Sequence, residues 1–195
     1  MIELQRRSTP PTELTDFCAT NPVLTPADFD RIDFQPVKKV VRRGLHADQA
    51  GLCVYCERHV PSDAGEVEHI KPKGKPPFAH LAFDYTNFAF GCRRTDTCGA
   101  KKKAGVLPIE PGPGCNADVS LSTDGSIQPR PGLTAHRRHE VVQTRDMLGL
   151  EHPSLVRERQ QWVESYVQAL RAAPERIHQF IHIAPFRCIL QRVAG

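Results

Sequence analysis

Three short stretches decide the fold: Cys53-Val54-Tyr55-Cys56, then Val67-Glu68-His69, then Cys92-Arg93-Arg94-Thr95-Asp96-Thr97-Cys98. Two cysteine pairs therefore bracket one acid–histidine dyad. Two thiolates from one tight turn can bind a single tetrahedral ion, and a second pair from elsewhere in the chain completes four ligands. The sequence thus predicts a structural zinc ion. Its expected ligands are Cys53, Cys56, Cys92 and Cys98, with the five residues of the second pair's spacer forming an inserted loop.

Free thiols and a redox role are the alternatives for these four cysteines. The chain has seven cysteines, an odd number, and no thioredoxin-like strand–helix context surrounds Cys53 and Cys56. A redox role is therefore the weakest of the three interpretations. The remaining cysteines, Cys18, Cys115 and Cys188, are expected to be free thiols that behave as small apolar side chains.

The composition indicates a folded protein of the cytoplasm. The chain has 195 residues, 39% of them hydrophobic, which is enough for one core with an appended small module. No run approaches the roughly 18 to 20 apolar residues of a membrane span, and the first residues lack the apolar block of a secretory signal. We expect no membrane partner. A reducing cytoplasm disfavours disulfides, which favours metal binding by the paired cysteines.

Three regions follow from the pattern of prolines, glycines and apolar residues. Residues 1–50 are expected to form a helical N-terminal arm, 51–113 a compact module of short strands and one helix, and 114–195 a hairpin followed by helices. Within the module, residues 66–70 are the best strand, a return strand is expected near 83–88, and 99–104 are expected to form a short helix with exposed lysines. The predicted class is α+β.

A helix is also expected after Pro36, in the N-terminal arm. Its apolar residues Val37, Val41 and Leu45 recur every four positions, so they share one face. Lysines and arginines occupy its other faces, which gives an amphipathic helix with a basic side.

Positive charge concentrates near the dyad, although the net charge is only +4. Cations beside a catalytic base would attract a polyanion and give affinity that depends on salt and not on base sequence. An ordinary solvated surface is the alternative. The candidate phosphate contacts are Lys71, Lys73, Lys75, Lys101, Lys102 and Lys103.

The acid–histidine dyad suits phosphodiester hydrolysis. If zinc ties Cys56 to Cys92, the 35 residues between them must return on themselves, with the dyad near the middle. Glu68 and His69 would point to opposite faces of a strand. One could bind a hard cation while the other takes a proton from an attacking water.

These residues resemble a known family. A Cys-x-x-Cys pair, an acid–His dyad, an asparagine and a second cysteine pair followed by lysines is similar to the zinc-containing HNH endonucleases. Within them, the chain looks most like the HNH subunit (PtuB-like) of Septu anti-phage systems, which also occurs beside some retrons. The stretches that carry this resemblance are Gln49-Ala50-Gly51-Leu52-Cys53-Val54-Tyr55-Cys56-Glu57, Val67-Glu68-His69-Ile70-Lys71-Pro72-Lys73 and Phe83-Asp84-Tyr85-Thr86-Asn87-Phe88.

The resemblance implies a zinc-stabilised ββα (His-Me finger) module that cleaves DNA with a catalytic Mg or Mn ion. It implies that His69 is the general base, that Glu68 binds the catalytic cation, and that Asn87 holds the loop of the base in place. It also implies an ATPase subunit as partner in antiviral defence.

The sequence departs from the family at one position. Members commonly place a histidine or asparagine directly after the last zinc cysteine as a metal ligand, whereas this chain has Gly99. Asp96 is the first candidate to substitute, ahead of the Cys115-Asn116 dipeptide. The alternative function is a catalytically impaired zinc ribbon that binds nucleic acid or serves as an adaptor.

Overall fold

The computed structural model describes residues 1–4, 7 and 9–193. Its α-helices and strands are α1 Thr12–Thr20, α2 Gln35–Asp48, β1 Gly65–His69, β2 Phe88–Cys92, α3 Cys98–Lys102, β3 Val119–Leu121, β4 Ile127–Pro129, α4 Ala135–Met147, α5 Pro153–Ala172, α6 Ile177–Ile183 and α7 Arg187–Leu190. Short 3₁₀ helices cover Pro26–Asp30, Ile32–Phe34, Pro76–Leu81, Tyr85–Asn87 and Pro174–Arg176. Across these ranges, no helix combines the length and the apolar character that crossing a bilayer requires. The fold is mixed α+β, as predicted.

The central element is an antiparallel hairpin of β1 and β2. The pairing runs from Gly65 opposite Cys92 to His69 opposite Phe88, so the dyad lies at one end and a cysteine at the other. Buried and half-buried residues alternate along β1, whereas all of β2 is buried. Helix α2 packs on both strands and buries Val41 and Leu45, as its apolar spacing predicts.

The second strand begins five residues later than expected. Residues 83–87 instead form a turn, because the Asp84 carboxylate accepts hydrogen bonds from the backbone N–H and the hydroxyl of Thr86, which caps a 3₁₀ turn. Phe83 packs against the rings of Phe17, Phe29 and Phe34 in the N-terminal helices. Its aromatic character thus reflects packing between elements and not strand pairing.

Helix α3 follows the hairpin and is shorter than expected. It ends at Lys102 because Lys103 adopts a positive φ of 51°, two residues before Gly105. Lys101 and Lys103 are exposed, but Lys102 is buried. The expectation that all three lysines are exposed is therefore wrong for Lys102.

The C-terminal part contains the predicted hairpin of β3 and β4, followed by helices. Gly125 turns this hairpin with a φ of 85°, and a Cβ at this position would lie 2.2 Å from the carbonyl oxygen of Val156. The buried guanidinium of Arg159 on α5 donates to the carbonyl oxygens of Gly125 and Leu150. It thereby ties α5 to the hairpin. The boundaries at residues 50 and 113 stay predictions.

Candidate active site

The four paired cysteines converge on one point. Their sulfur atoms all lie within 4.8 Å of one another, and all four residues are buried. Four sulfurs bound tetrahedrally at about 2.3 Å from a zinc ion would be about 3.8 Å apart. The Sγ atoms of Cys53 and Cys98 are 3.8 Å apart. The cluster therefore has the donor set and the spacing of a structural zinc site.

Glu68 lies beside this cluster in a buried ion pair. Its Oε1 is 2.9 Å from Nζ of Lys102 and accepts a 3.0 Å hydrogen bond from the hydroxyl of Tyr55. The Lys102 side chain is 1% exposed and the Glu68 side chain 12%. Lys102 also donates a 3.0 Å hydrogen bond to the carbonyl oxygen of His69. This lysine is thus a structural partner of the dyad and not a surface cation.

Gly99 leaves the space that the Glu68 carboxylate occupies. A Cβ at position 99 would lie 2.4 Å from Oε2 of Glu68 and 3.1 Å from its Cδ. Any side chain here would have to displace the carboxylate, so the glycine and the ion pair belong to one arrangement. The candidate substitutes for a ligand at position 99 are engaged elsewhere. Asp96 binds Arg94 at 2.8 Å, and Asn116 accepts from the Met1 ammonium at 3.0 Å.

His69 is held in one orientation between two aromatic rings. Its ring centroid is 4.5 Å from that of Phe29 and 5.1 Å from that of Phe88, and the residue is 9% exposed. Its Nε2 is 3.0 Å from the carbonyl oxygen of Ala82. Because a carbonyl oxygen only accepts, Nε2 carries the proton and Nδ1 keeps its lone pair.

The surroundings keep this imidazole neutral. Burial, which is the largest cause, and the ammonium groups of Lys73, Lys102 and Lys38 together lower the pKa of His69 to about 4, although the hydrogen bond to Ala82 acts in the opposite direction. At neutral pH the ring therefore has an unprotonated nitrogen that can accept a proton.

Asn87 ties together two segments that follow His69 in the sequence. Its Oδ1 accepts from the backbone N–H of Lys71 at 2.8 Å, and its Nδ2 donates to the carbonyl oxygens of Lys71 and Leu81 at 2.9 and 3.2 Å. Lys71 lies two residues after His69 in the sequence. Leu81 directly precedes Ala82, whose carbonyl oxygen binds Nε2 of His69. The amide thus fixes the loop against which the imidazole is oriented.

The candidate phosphate contacts occupy different environments. Lys75, Lys101 and Lys103 are exposed, and Lys71 is half-buried, 3.9 Å from Glu110. Lys73 is bound to Asp30 and to the carbonyl oxygen of Pro26, both at 3.0 Å.

Comparison with known proteins places this geometry in a family. No protein-family model matches the chain. The chain is 43% identical over 204 residues to a protein of Vibrio cholerae serotype O1 biovar El Tor named "Retron Vc95 putative HNH endonuclease", and the match covers 99% of each sequence. The chain belongs to the HNH endonuclease family. It is therefore an endonuclease, as the resemblance of its sequence to this family implied.

A catalytic cation of an HNH endonuclease would find a sparse set of protein ligands here. The hydrogen bond from Tyr55 and the ion pair with Lys102 both engage Oε1 of Glu68, whereas Oε2 lies beside Gly99. Among the described residues, the four cysteines are the one group of three or more metal-ligating side chains. Mg²⁺ binds through one or two carboxylates when water and substrate phosphate supply its other ligands. Glu68 fits that arrangement.

Sequence reasoning missed three parts of this HNH site. It did not identify Tyr55 as a partner of Glu68, Lys102 as its counter-ion, or Phe29 as a wall of the His69 pocket. The position of Lys102 offered one clue: it lies four residues after Cys98 and so on the same face of a helix.

Proposed function

We propose that this HNH endonuclease hydrolyses phosphodiester bonds in DNA with His69 as general base. The observation that carries the proposal is the contact between Nε2 of His69 and the Ala82 carbonyl oxygen. It leaves Nδ1 as the basic nitrogen of a neutral imidazole, which is what proton abstraction from a water requires.

The neighbouring residues have supporting roles in this proposal. Asn87 is a positioning residue, because its three hydrogen bonds fix the loop around the imidazole. Glu68 would hold a Mg or Mn ion through Oε2, and the ion would stabilise the charge that develops on the phosphate. A zinc ion held by the four cysteines would be structural, because four protein sulfurs leave no open ligand position.

The lysines that face solvent are proposed to contact the DNA backbone. Lys75 is exposed on a loop six residues after His69, and Lys101 and Lys103 are exposed on α3 and directly after it. Lys71 and Lys73 lie closer to the base but are engaged by Glu110 and Asp30. They would have to exchange these partners for phosphate. Lys102 is not one of the proposed DNA contacts, because it is buried and paired with Glu68.

The biological setting is proposed from likeness. The similar Vibrio cholerae protein is named for a retron, and the sequence resembles the HNH subunit of Septu systems. We propose that this chain is the nuclease of an antiviral defence system with an ATPase subunit as partner. Co-purification of the chain with a candidate ATPase subunit would test this assignment.

Plasmid cleavage tests the catalytic proposal. Wild type, His69→Gln and Glu68→Gln would be compared with supercoiled DNA in Mg²⁺, in Mn²⁺ and without added divalent cation, with and without the ATPase. Glutamine at position 69 can still donate to Ala82 but cannot act as a base. We expect a loss of about 10²- to 10⁴-fold in rate for His69→Gln.

His139→Gln is the matched control, because His139 is an exposed histidine on α4. It should cleave like wild type. If wild type and His69→Gln nick DNA at equal rates, His69 is not the base and the chain acts as a nucleic-acid-binding or adaptor subunit. The buried Glu68–Lys102 pair and Gly99 are the observations that favour this second candidate.

A further inference from the structure

A basic cleft runs between α2 and the β1–β2 hairpin, apart from the lysines considered above. It has a volume of about 300 Å³. One wall carries Lys38, Lys39 and Arg42 of α2, and the opposite wall carries Arg93 from the loop after β2. Glu66 is the one acidic residue of its lining. The cleft therefore presents four cations against a single carboxylate.

Three of these cations have no ionic partner among the described residues. Lys38 pairs with Asp30 at 3.1 Å. Lys39, Arg42 and Arg93 form no ion pair with any residue that the structure describes. Like charges gathered in one cleft repel each other, and an anion between them would remove that cost. The cleft thus carries positive charge that the described residues do not neutralise.

Arg42 adds a second, independent indication. Its Nε is shielded from solvent and has no hydrogen-bond partner among the described residues. A guanidinium N–H without an acceptor is costly, since it has lost its water and gained nothing in exchange. Guanidinium groups match the paired oxygens of a phosphate. An anionic ligand in the cleft would bind the other N–H groups of this guanidinium and so offset the cost of its unpaired Nε.

One end of the cleft lies near His69. Nζ of Lys38 lies 4.4 Å from the centroid of the Phe29 ring, and that ring lies 4.5 Å from the His69 ring. Nζ of Lys73 contacts the same Phe29 ring at 4.9 Å. One aromatic ring therefore separates the end of the cleft from the imidazole. An anion in the cleft would lie close to a scissile phosphate at His69.

We propose that this cleft binds a backbone phosphate of the nucleic-acid strand, next to the phosphate that is cleaved. The inference rests on the proposed nuclease function and adds a binding subsite to it. The ligand is the phosphodiester backbone, so binding depends on salt and not on base sequence. The cleft positions the strand and takes no part in the chemical step.

Charge removal on the two walls tests the subsite. A Lys39→Gln/Arg42→Gln double variant and an Arg93→Gln variant would be made in the full chain with His69→Gln, which prevents cleavage. Their dissociation constants for labelled duplex DNA, single-stranded DNA and RNA of equal length would be measured by fluorescence anisotropy. The salt concentration would be varied from about 50 to about 200 mM, a range over which counterion release changes the affinity strongly. The three ligands show which nucleic acid uses the cleft.

The matched control is Arg138→Gln/Arg157→Gln, which removes the same charge from exposed positions on α4 and α5. We expect the Lys39→Gln/Arg42→Gln variant to raise Kd roughly tenfold over this control for at least one ligand. The slope of log K against log salt should also fall by about 0.9 per lost contact to a duplex and about 0.7 to a single strand. Unchanged thermal unfolding would show that both double variants fold.

Equal affinity of the cleft variants and the control for every ligand would overturn the inference, and so would a wild type that binds no nucleic acid. Failure of the proposed function gives a different result. If wild type does not cleave but the cleft variants still lose affinity relative to the control, the subsite stands and the nuclease proposal falls.

Discussion

Replacing Lys102 with methionine is the sharpest test of the site's architecture. Methionine keeps the length and much of the volume of the lysine stem but removes its ammonium. The change leaves Glu68 in a pocket where its side chain is 12% exposed and where, among the described residues, the Tyr55 hydroxyl is its one remaining hydrogen-bond donor. It also removes the hydrogen bond to the carbonyl oxygen of His69.

The expected loss of stability follows from the burial of both members of the Glu68–Lys102 ion pair. Removing one partner of a buried ion pair costs about 3–5 kcal/mol, because the other charge stays desolvated and uncompensated. Tyr55 and the remaining exposure of Glu68 favour the lower end, about 3 kcal/mol. A protein of 150 to 250 residues loses about 2–4 °C in Tm per kcal/mol, so Tm should fall by roughly 6–12 °C.

Denaturant unfolding in the presence of zinc measures this cost. Lys101→Met is the matched control, since it changes an exposed lysine in the same helix and should alter stability by less than about 0.5 kcal/mol. The Glu68→Leu/Lys102→Met double variant should be more stable than the two single losses predict by at least about 2 kcal/mol. A Lys102→Met protein within about 1 kcal/mol of wild type, or strictly additive losses, would refute the buried pair.

Three further predictions concern the same module. Gly99→Ala should destabilise the protein by about 1–3 kcal/mol and slow plasmid cleavage, because its Cβ would lie 2.4 Å from Oε2 of Glu68. A Gly99→Ala variant with wild-type stability would contradict this packing. Zinc removal by a chelator, or Cys56→Ser, should abolish cooperative unfolding of the module, since binding of a structural zinc ion contributes on the order of 10 kcal/mol to folding. Metal analysis should find one zinc ion per chain. Cooperative unfolding of the zinc-free protein would contradict the zinc site. Asn87→Ala should lower the free energy of unfolding by about 1–3 kcal/mol, because it leaves backbone groups of Lys71 unpaired. In the cleavage assay it should lower kcat by a larger factor than it raises KM. Equal factors for kcat and KM would argue against a positioning role.

Local patterns predicted the elements that are determined locally. The apolar residues of α2 recur every four positions and are packed on the hairpin, and Asp124-Gly125 turns β3 into β4. The four cysteines also meet as predicted, because two close-spaced pairs leave few other ways to satisfy buried thiols. For the helix and the turn, the cause of the structure lies within a few residues of the feature, whereas the cysteine pairs are recognised by the short spacing within each pair.

The errors arose where distant residues decide the environment. Phe83 is aromatic like the residues of β2, but its partners are rings of the N-terminal helices, so the strand starts later. Lys102 lies in a run of three lysines, which normally indicates a solvated surface. Its burial depends on Glu68, more than thirty residues earlier, and on the space at Gly99. Neither contact leaves a periodic pattern in the sequence.

The position of Lys102 links the cysteine cluster to the acid–histidine dyad. Cys98 is both a member of the cluster and the first residue of α3, where its φ of 58° sets the direction of the helix. Lys102 lies one turn later, so the cluster determines where its ammonium lies. That ammonium contacts Glu68 through a carboxylate oxygen and His69 through its backbone carbonyl oxygen. The two members of the dyad point to opposite faces of β1, yet one lysine binds both. Loss of zinc would therefore release α3, then Lys102, and with it the end of the strand that carries the base.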